Sequence, residues 1–195
     1  MLEDLSQHVL DIAENSTAAD ASDVTVEIDE DERADRLTMI VEDNGRGMSP
    51  DFLSRVADPF TTTRTTRRVG MGIPFLKQSA ELCGGAFSIR SAQGAGTRIE
   101  AVFAFSSIDR PPLGDIPATI MTLFMGHPEI NWKYVHRVNG SEFSLSTEEL
   151  AEVLEDRELL RTAEVGLWIR DLIAESLAEL RGRDTTLDFL DDKDL

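Results

Sequence analysis

The stretch Val41-Glu42-Asp43-Asn44-Gly45-Arg46-Gly47-Met48 decides how this chain of 195 residues is read. Leu37 to Glu42, rich in Met, Ile and Val, predicts a strand. The glycines that follow break it into a turn. A carboxylate fixed at a strand end, as Asp43 is, can accept a hydrogen bond from an exocyclic amine. The glycines let backbone approach a flat ring closely. Plain hairpins and calcium loops use the same Asp-Asn-Gly turn. The later acidic ligands of an EF-hand loop are missing here, which argues against calcium.

Upstream, Leu2, Leu5, Val9, Ile12, Ala13 and Ser16 recur at helical spacing and predict an amphipathic helix over 2–18. Within it, Asp11 and Asn15 are four apart and project from the same face. An acid and an amide so placed can address one metal ion with its water; an ordinary solvated helix face has the same pattern. Val24, Val26 and Ile28 alternate with polar residues as a strand, and the acidic stretch from Asp29 to Asp35 turns the chain into the Leu37 strand.

Downstream, Ser49-Pro50 starts a short helix, with Ser49 as N-cap and proline at the first position. Residues 61–72 are rich in threonine and arginine and read as a loop. Asp58-Pro59-Phe60-Thr61-Thr62-Thr63-Arg64 leads through Arg67-Arg68 to Val69-Gly70-Met71-Gly72-Ile73-Pro74. Glycines just before a helix expose N–H groups at its positive end, which suits phosphate. Arg64, Arg67 and Arg68 add charged donors. No Gly-Lys-Ser/Thr follows, so this is not a Walker A loop. The helix from Ile73 to Leu82 stops at Cys83-Gly84-Gly85. Two strands, Ala86–Ser91 and Thr97–Phe105, flank the turn Gln93-Gly94-Ala95-Gly96, and Thr97 can hydrogen-bond near a base.

In this order, the segments resemble the GHKL superfamily: gyrase B, Hsp90, MutL and the catalytic domains of histidine kinases. Its N, G1, F, G2 and G3 boxes correspond to Asp11–Asn15, Asp43–Gly47, Pro59–Arg64, Gly70–Gly72 and Gly94–Thr97. The F and G2 stretches are most similar to sensor kinases, whereas Glu14-Asn15-Ser16 resembles MutL. The resemblance covers about residues 1–106 and implies a Bergerat fold that binds ATP with Mg²⁺. It places Asn15 on the metal and phosphates, and Asp43 on the adenine amine with Thr97 assisting. Gly45, Gly47 and Met48 lie along the ring, and Gly70, Met71 and Gly72 cradle phosphates. Phe60 and Arg64 belong to the lid, Arg64 standing where sensor kinases put a lysine. Family ATPases carry glutamate at position 11 and sensor kinases asparagine; this chain has Asp11, a candidate base or magnesium ligand with one methylene less reach. With only a handful of residues before the N box, a dimerisation hairpin with a phosphorylatable histidine is not expected, and Val9 follows His8 where sensor kinases place an acid.

The expected fold class is α/β, as an α+β sandwich: a mixed, mostly antiparallel sheet with helices on one face. Arg110-Pro111-Pro112-Leu113-Gly114 marks a boundary between residues 1–110 and a small extension, 111–195. The extension reads as a helix near 116–125, then a hairpin about Asn139-Gly140. A helix capped by Ser146 and Glu149 follows, then another over 163–181 with Val165, Trp168, Ile169, Leu172, Ile173 and Leu177 on one stripe. The acidic last dozen residues are expected to fray. The stripe fits packing on the ATPase unit, a homodimer or a partner surface.

Composition bounds the rest. No apolar run approaches the roughly 18 residues of a membrane span, and the N-terminus is acidic rather than a basic leader. The single cysteine, Cys83, fits a reducing, cytoplasmic setting and a buried apolar role. Acids outnumber bases 37 to 19, for a net charge of −18, which argues against nucleic acid as a partner. Two readings stand. One is a kinase-like enzyme in bacterial signalling that passes the γ-phosphate of ATP to a partner protein or slowly to water. The other is a nucleotide-gated binding or assembly module, in layout similar to ATP-binding proteins encoded beside hydrogenase subunits. The partner contact falls on the C-terminal region or on the lid, 61–72.

Overall fold

A computed structural model describes residues 4–57 and 72–191, from 183 onward as helix backbone only. Asp4 caps the first helix by accepting the Gln7 amide, and α1 runs Leu5–Ala18. Leu5, Val9, Ile12, Ala13 and Ser16 form its buried stripe, the one their spacing predicts. Two antiparallel strands follow, β1 (Asp23–Asp31) and β2 (Arg36–Asp43), with Val24 opposite Asp43 and Asp31 opposite Arg36. Ser49 accepts the Phe52 amide to open α2 (Pro50–Val56). After α3 (Gly72–Leu82), the hairpin of β3 (Ala86–Ala92) and β4 (Gly96–Ala104) returns beside β2, which sets Thr97 opposite Asp43.

The segment around 110–114 runs alongside the start of α1, where Leu5 and Ser6 donate their amides to Pro112 and Leu113 at 2.9 Å. Helix α4 (Ile116–Gly126) then leads to β5 (Asn131–Val138), which pairs parallel to β1, and β6 (Ser141–Ser146) closes the hairpin. Six strands thus form one mixed sheet in the order β3-β4-β2-β1-β5-β6, antiparallel except at β1–β5. Without β5, the outer edge of β1 would leave a row of backbone groups unpaired. The parts on either side of residues 110–114 share this sheet and one core, which runs from Leu5 and Ile28 through Phe103 to Trp132, Ile169 and Leu180.

Both halves of the Ser146–Glu149 capping box form and start α5 (Thr147–Leu154). A 3-10 turn (Arg157–Arg161) precedes α6, which spans Ala163–Asp191. Fraying was expected over the last dozen residues, but the helix continues to Asp191, because no proline and no glycine beyond Gly182 stops it; 192–195 lie outside the described residues. Along the predicted stripe, Ile169, Ile173 and Leu177 are buried on the core, whereas Trp168 stays 45% exposed. The sequence also ends β1 too early, at Ile28. The strand continues to Asp31 because Glu30 has buried partners, accepting from His136 Nε2 and from Arg181, both at 2.8 Å. Among the described residues, no helix is long and apolar enough to cross a membrane.

Candidate functional site

The last turns of α1, the end of β2 and the start of β4 enclose a cavity of about 490 Å³. Its walls are apolar where Ile12, Val41, Ile73 and Ile99 reach it, and polar at Asn15, Asp43 and Thr97. The Asp43 carboxylate is fixed from two sides. The Ser16 hydroxyl donates to Oδ2 at 2.7 Å, and the Gly45 amide donates to Oδ1 at 2.9 Å. Each carboxylate oxygen has a further lone pair, so the group is oriented without being saturated. Thr97 faces it across the β2–β4 pair.

Close backbone approaches build this end of the cavity. Gly47 (φ 63°) and Gly96 (φ 83°) sit in left-handed conformations, and a Cβ would overlap the Ala92 carbonyl at one and the Asp43 carbonyl at the other. Gly45 is packed against Ala19, whose carbonyl oxygen would lie 2.8 Å from an added Cβ. Ser91 stitches the two turns together: its hydroxyl accepts from the Met48 amide and reaches the Gly96 carbonyl and Thr97 Oγ1, each at 2.9 Å. With its one hydrogen given to Gly96, Ser91 accepts from Thr97, whose lone pairs then remain for a ligand.

Asn44 clamps the turn from outside. Its Oδ1 accepts from the Ser22 and Asp23 amides, and its Nδ2 donates to Ser22 Oγ and Asp23 Oδ2. Asp23 also accepts from Asn131 at 3.0 Å, and Asn131 from Arg157 at 2.8 Å. Hydrogen bonds from Ser22 and Asn131 hold the Asp23 carboxyl below its ordinary pKa. Arg46, at the rim, pairs with exposed Asp20 at 3.1 Å and donates to the Ala18 carbonyl.

The middle of α1 meets the start of α3. A Cβ on Gly72 would sit 2.5 Å from Asp11 Oδ2, so this carboxylate lies against the first residue of a helix. One turn earlier, His8 is buried, and its Nδ1 has no hydrogen-bond partner. Burial lowers its pKa, and the nearby Asp11 and Asp4 charges offset that only in part.

Of the residues singled out from the sequence, Asn15, Asp43, Gly47, Met48 and Thr97 line one cavity, and Gly45 lies directly behind Asp43. Asp11 and Gly72 touch each other beyond that lining. Phe60, Arg64, Gly70 and Met71, with Arg67 and Arg68, lie outside the described residues. Sequence patterns gave no site role to Ser16 or Ser91. The signal for Ser91 was the hairpin register, which sets it opposite Thr97.

The site fits an adenine nucleotide in size and donor set: a cavity of about 490 Å³ with apolar walls and an oriented carboxylate at one end. For a divalent ion it offers Asn15 and Asp11, and no group of three or more His, Cys, Asp or Glu is gathered among the described residues. Two side chains suit magnesium, which keeps waters and takes phosphate oxygens.

The sequence profile described as "Histidine kinase-, DNA gyrase B-, and HSP90-like ATPase" matches residues 1–107. Sensor protein kinase FleS of Pseudomonas aeruginosa is 41% identical over 58 residues, which are 30% of this chain and 14% of that one. Sensor histidine kinase ZraS of Salmonella typhimurium is 30% identical over 93 residues, 47% and 20% of the two chains. The chain therefore spans a fifth or less of these relatives' length. The solved N-terminal domain of a DNA repair protein superposes with a TM-score of 0.52 at 17% identity, covering 74% of this chain and 53% of that one, a likeness of fold.

Proposed function

Because this chain belongs to the family of histidine kinase-, DNA gyrase B- and HSP90-like ATPases, we propose that it binds ATP with Mg²⁺ and passes the γ-phosphate to a partner protein or slowly to water. The observation that carries the reading is the Asp43 carboxylate, held by Ser16 and Gly45 at the end of the 490 Å³ cavity. In this reading Asp43 accepts the adenine amine, Thr97 assists, and Gly45, Gly47 and Met48 line the ring. Asn15, joined by Asp11 where that group is a ligand instead of the base, would hold magnesium at the phosphate end, beside Gly72 at the α3 N-terminus, where backbone N–H groups favour anions. On the resemblance alone, Phe60, Arg64, Gly70 and Met71 complete that end. When bound, magnesium would screen the phosphate charge. Where Asp11 acts as the base instead of a ligand, it takes the proton from the attacking water or hydroxyl, within hydrogen-bond reach or through one water.

The measurement is the fate of γ-labelled ATP with wild type, Asp43→Asn and Asp11→Asn. A charged, partly buried hydrogen bond is worth roughly 1.5–3 kcal/mol, so Asp43→Asn weakens ATP about 10- to 100-fold. Asp11→Asn keeps binding but stops phosphate release. Wild-type affinity in Asp43→Asn would sink the assignment. One observation favours a second reading, a nucleotide-gated module: the hydrogen-bond chain Asn44–Asp23–Asn131–Arg157 joins the turn after Asp43 to the C-terminal region. Under that reading ATP stays intact, and its binding changes hydrogen exchange around Arg157.

A further inference from the structure

The two edges of the sheet are finished differently. β6 is packed by α5 and α6, whereas β3 ends the sheet with β4 and α3 as its main described neighbours. An open edge invites pairing with another chain, and proteins usually blunt it with proline, lysine, a bulge or a short strand. β3 has no proline, lysine or bulge, and its one charged side chain is Arg90. It is Ala86-Phe87-Ser88-Ile89-Arg90-Ser91-Ala92, paired one to one with β4 from Ala86–Val102 to Ala92–Gly96. Phe87 and Ile89 lie opposite the core residues Ala101 and Ile99, yet each is only half-buried.

The single charge of β3 is also unanswered. Arg90 is exposed on the open face directly opposite Arg98, and like charges in that position repel. Arg98 is neutralised by Glu42 and, at 3.4 Å, by Glu100. The Glu42 hydrogen bond, acting against partial burial, raises the Arg98 pKa. Arg90 has no ion pair or hydrogen bond among the described residues, in a chain where acids outnumber bases 37 to 19. The two guanidinium groups border an open hollow of about 320 Å³, shared with Glu42 and the backbone of the β3–β4 turn.

We propose that the outer edge of β3 is a strand-addition site for an extended segment of a partner protein. That segment carries a Glu or Asp opposite Arg90, flanked by apolar residues at the alternating positions. Main-chain hydrogen bonds along the edge supply affinity, and alternate side chains supply register. The acid meets Arg90 on the open face, beside Arg98. Its apolar neighbours fall on the other face, where they cover Phe87 and Ile89. A second copy pairing through the same edge does not answer this need, because β3 has no acidic residue to offer. The strand edge is next to the nucleotide pocket, since Ser91 of β3 braces Met48 and Thr97 and the hollow is lined by Asp43 and Thr97 as well, but pairing along the edge does not require a bound nucleotide.

The probe is a fluorescein-labelled peptide, Ser-Ile-Thr-Val-Glu-Val-Thr-Ile-Ser, titrated into the full chain by anisotropy, with amide hydrogen exchange on the same samples. A scrambled peptide and one with Lys in place of Glu are the controls. Saturable binding is expected, with new protection confined to Ala86–Ala92. Arg90→Glu should weaken the Glu peptide by at least about fivefold and reverse the preference toward the Lys peptide, as opposite charges across a strand pair dictate. Arg90 is exposed, so an unchanged melting temperature will show that the variant folds. No binding up to roughly 1 mM, which would leave an affinity too weak for specific docking, overturns the proposal. So does equal binding of the scrambled peptide, indifference to Arg90→Glu, or concentration-dependent self-association that protects β3 without peptide.

Discussion

At the scale of single residues, the site depends on how Asp43 is held. A free carboxylate at a strand end would sample several rotamers and lose entropy on binding a ligand. Donors from Ser16 and Gly45 settle its orientation beforehand. Ser16→Ala removes one neutral-to-charged hydrogen bond while leaving the fold, and should weaken ATP by about three- to tenfold, or roughly 1 kcal/mol. Calorimetric titration checks this; unchanged affinity would mean that Gly45 alone suffices. His8 makes a different prediction. Its folded pKa is held below the ordinary 6.5 by burial, so the folded state binds fewer protons than the unfolded one. Stability is therefore full above about pH 6.5 and falls as the pH drops below it. His8→Phe should flatten the decline in melting temperature between about pH 6.5 and 5, whereas Glu30, whose ordinary pKa is 4.5, acts lower. Asp43 and Thr97 were both legible in the sequence, as a carboxylate and a hydroxyl next to glycines. Ser16 and Ser91 were not given a role, because a serine's meaning depends on what the fold sets within 3 Å of it.

At the scale of elements, turn geometry joins the pocket to the sheet. Gly96 combines a left-handed φ with contact against the Asp43 backbone, whereas Gly94 has φ 74° and nothing within 4 Å of an added Cβ. Gly94→Ala should cost only the backbone term, about 1–2 kcal/mol. Gly96→Ala must also push β4 off the end of β2, and should abolish ATP binding together with a larger loss of stability. Denaturant melts and nucleotide titrations of the pair check this, and equal losses would refute the close approach. Caps and hairpins were readable because their rules are local: the Ser146–Glu149 box and the Asn139-Gly140 turn form as their spacing requires. The end of β1 was not. Four acids in a row, Asp29 to Glu32, read as a turn, and only the distant His136 and Arg181 make a place for Glu30 inside the sheet.

At the scale of the molecule, one core runs under all six strands, and the C-terminal region contributes Phe124, Trp132, Tyr134 and Ile169 to it. Arg157 ties that region down, donating to the carbonyls of Pro128 and Ile130, to Asn131 and to Thr147. Tyr134 lies deep in the core, where burial pushes its phenol well above the usual tyrosine range, and its hydroxyl donates to His136 Nδ1 at 2.6 Å. Trp132→Ala should cost about 3–5 kcal/mol, which lowers Tm by roughly 10 °C for a chain of this size. The transition should remain single, with loss of nucleotide binding and of secondary structure coinciding; two separated transitions would show that the regions melt independently. The sequence by itself determined the elements, their order and the ligand chemistry of the turns, because helix periodicity, strand alternation and glycine placement act over a few residues. Only the tertiary structure decided that the hairpin after residue 130 completes the sheet beside β1, that Ser16 and Ser91 support the pocket, and that Arg90 has no partner among the described residues at the β3 edge. Those outcomes depend on which strand edges and side chains meet across long stretches of chain, and no local pattern encodes that.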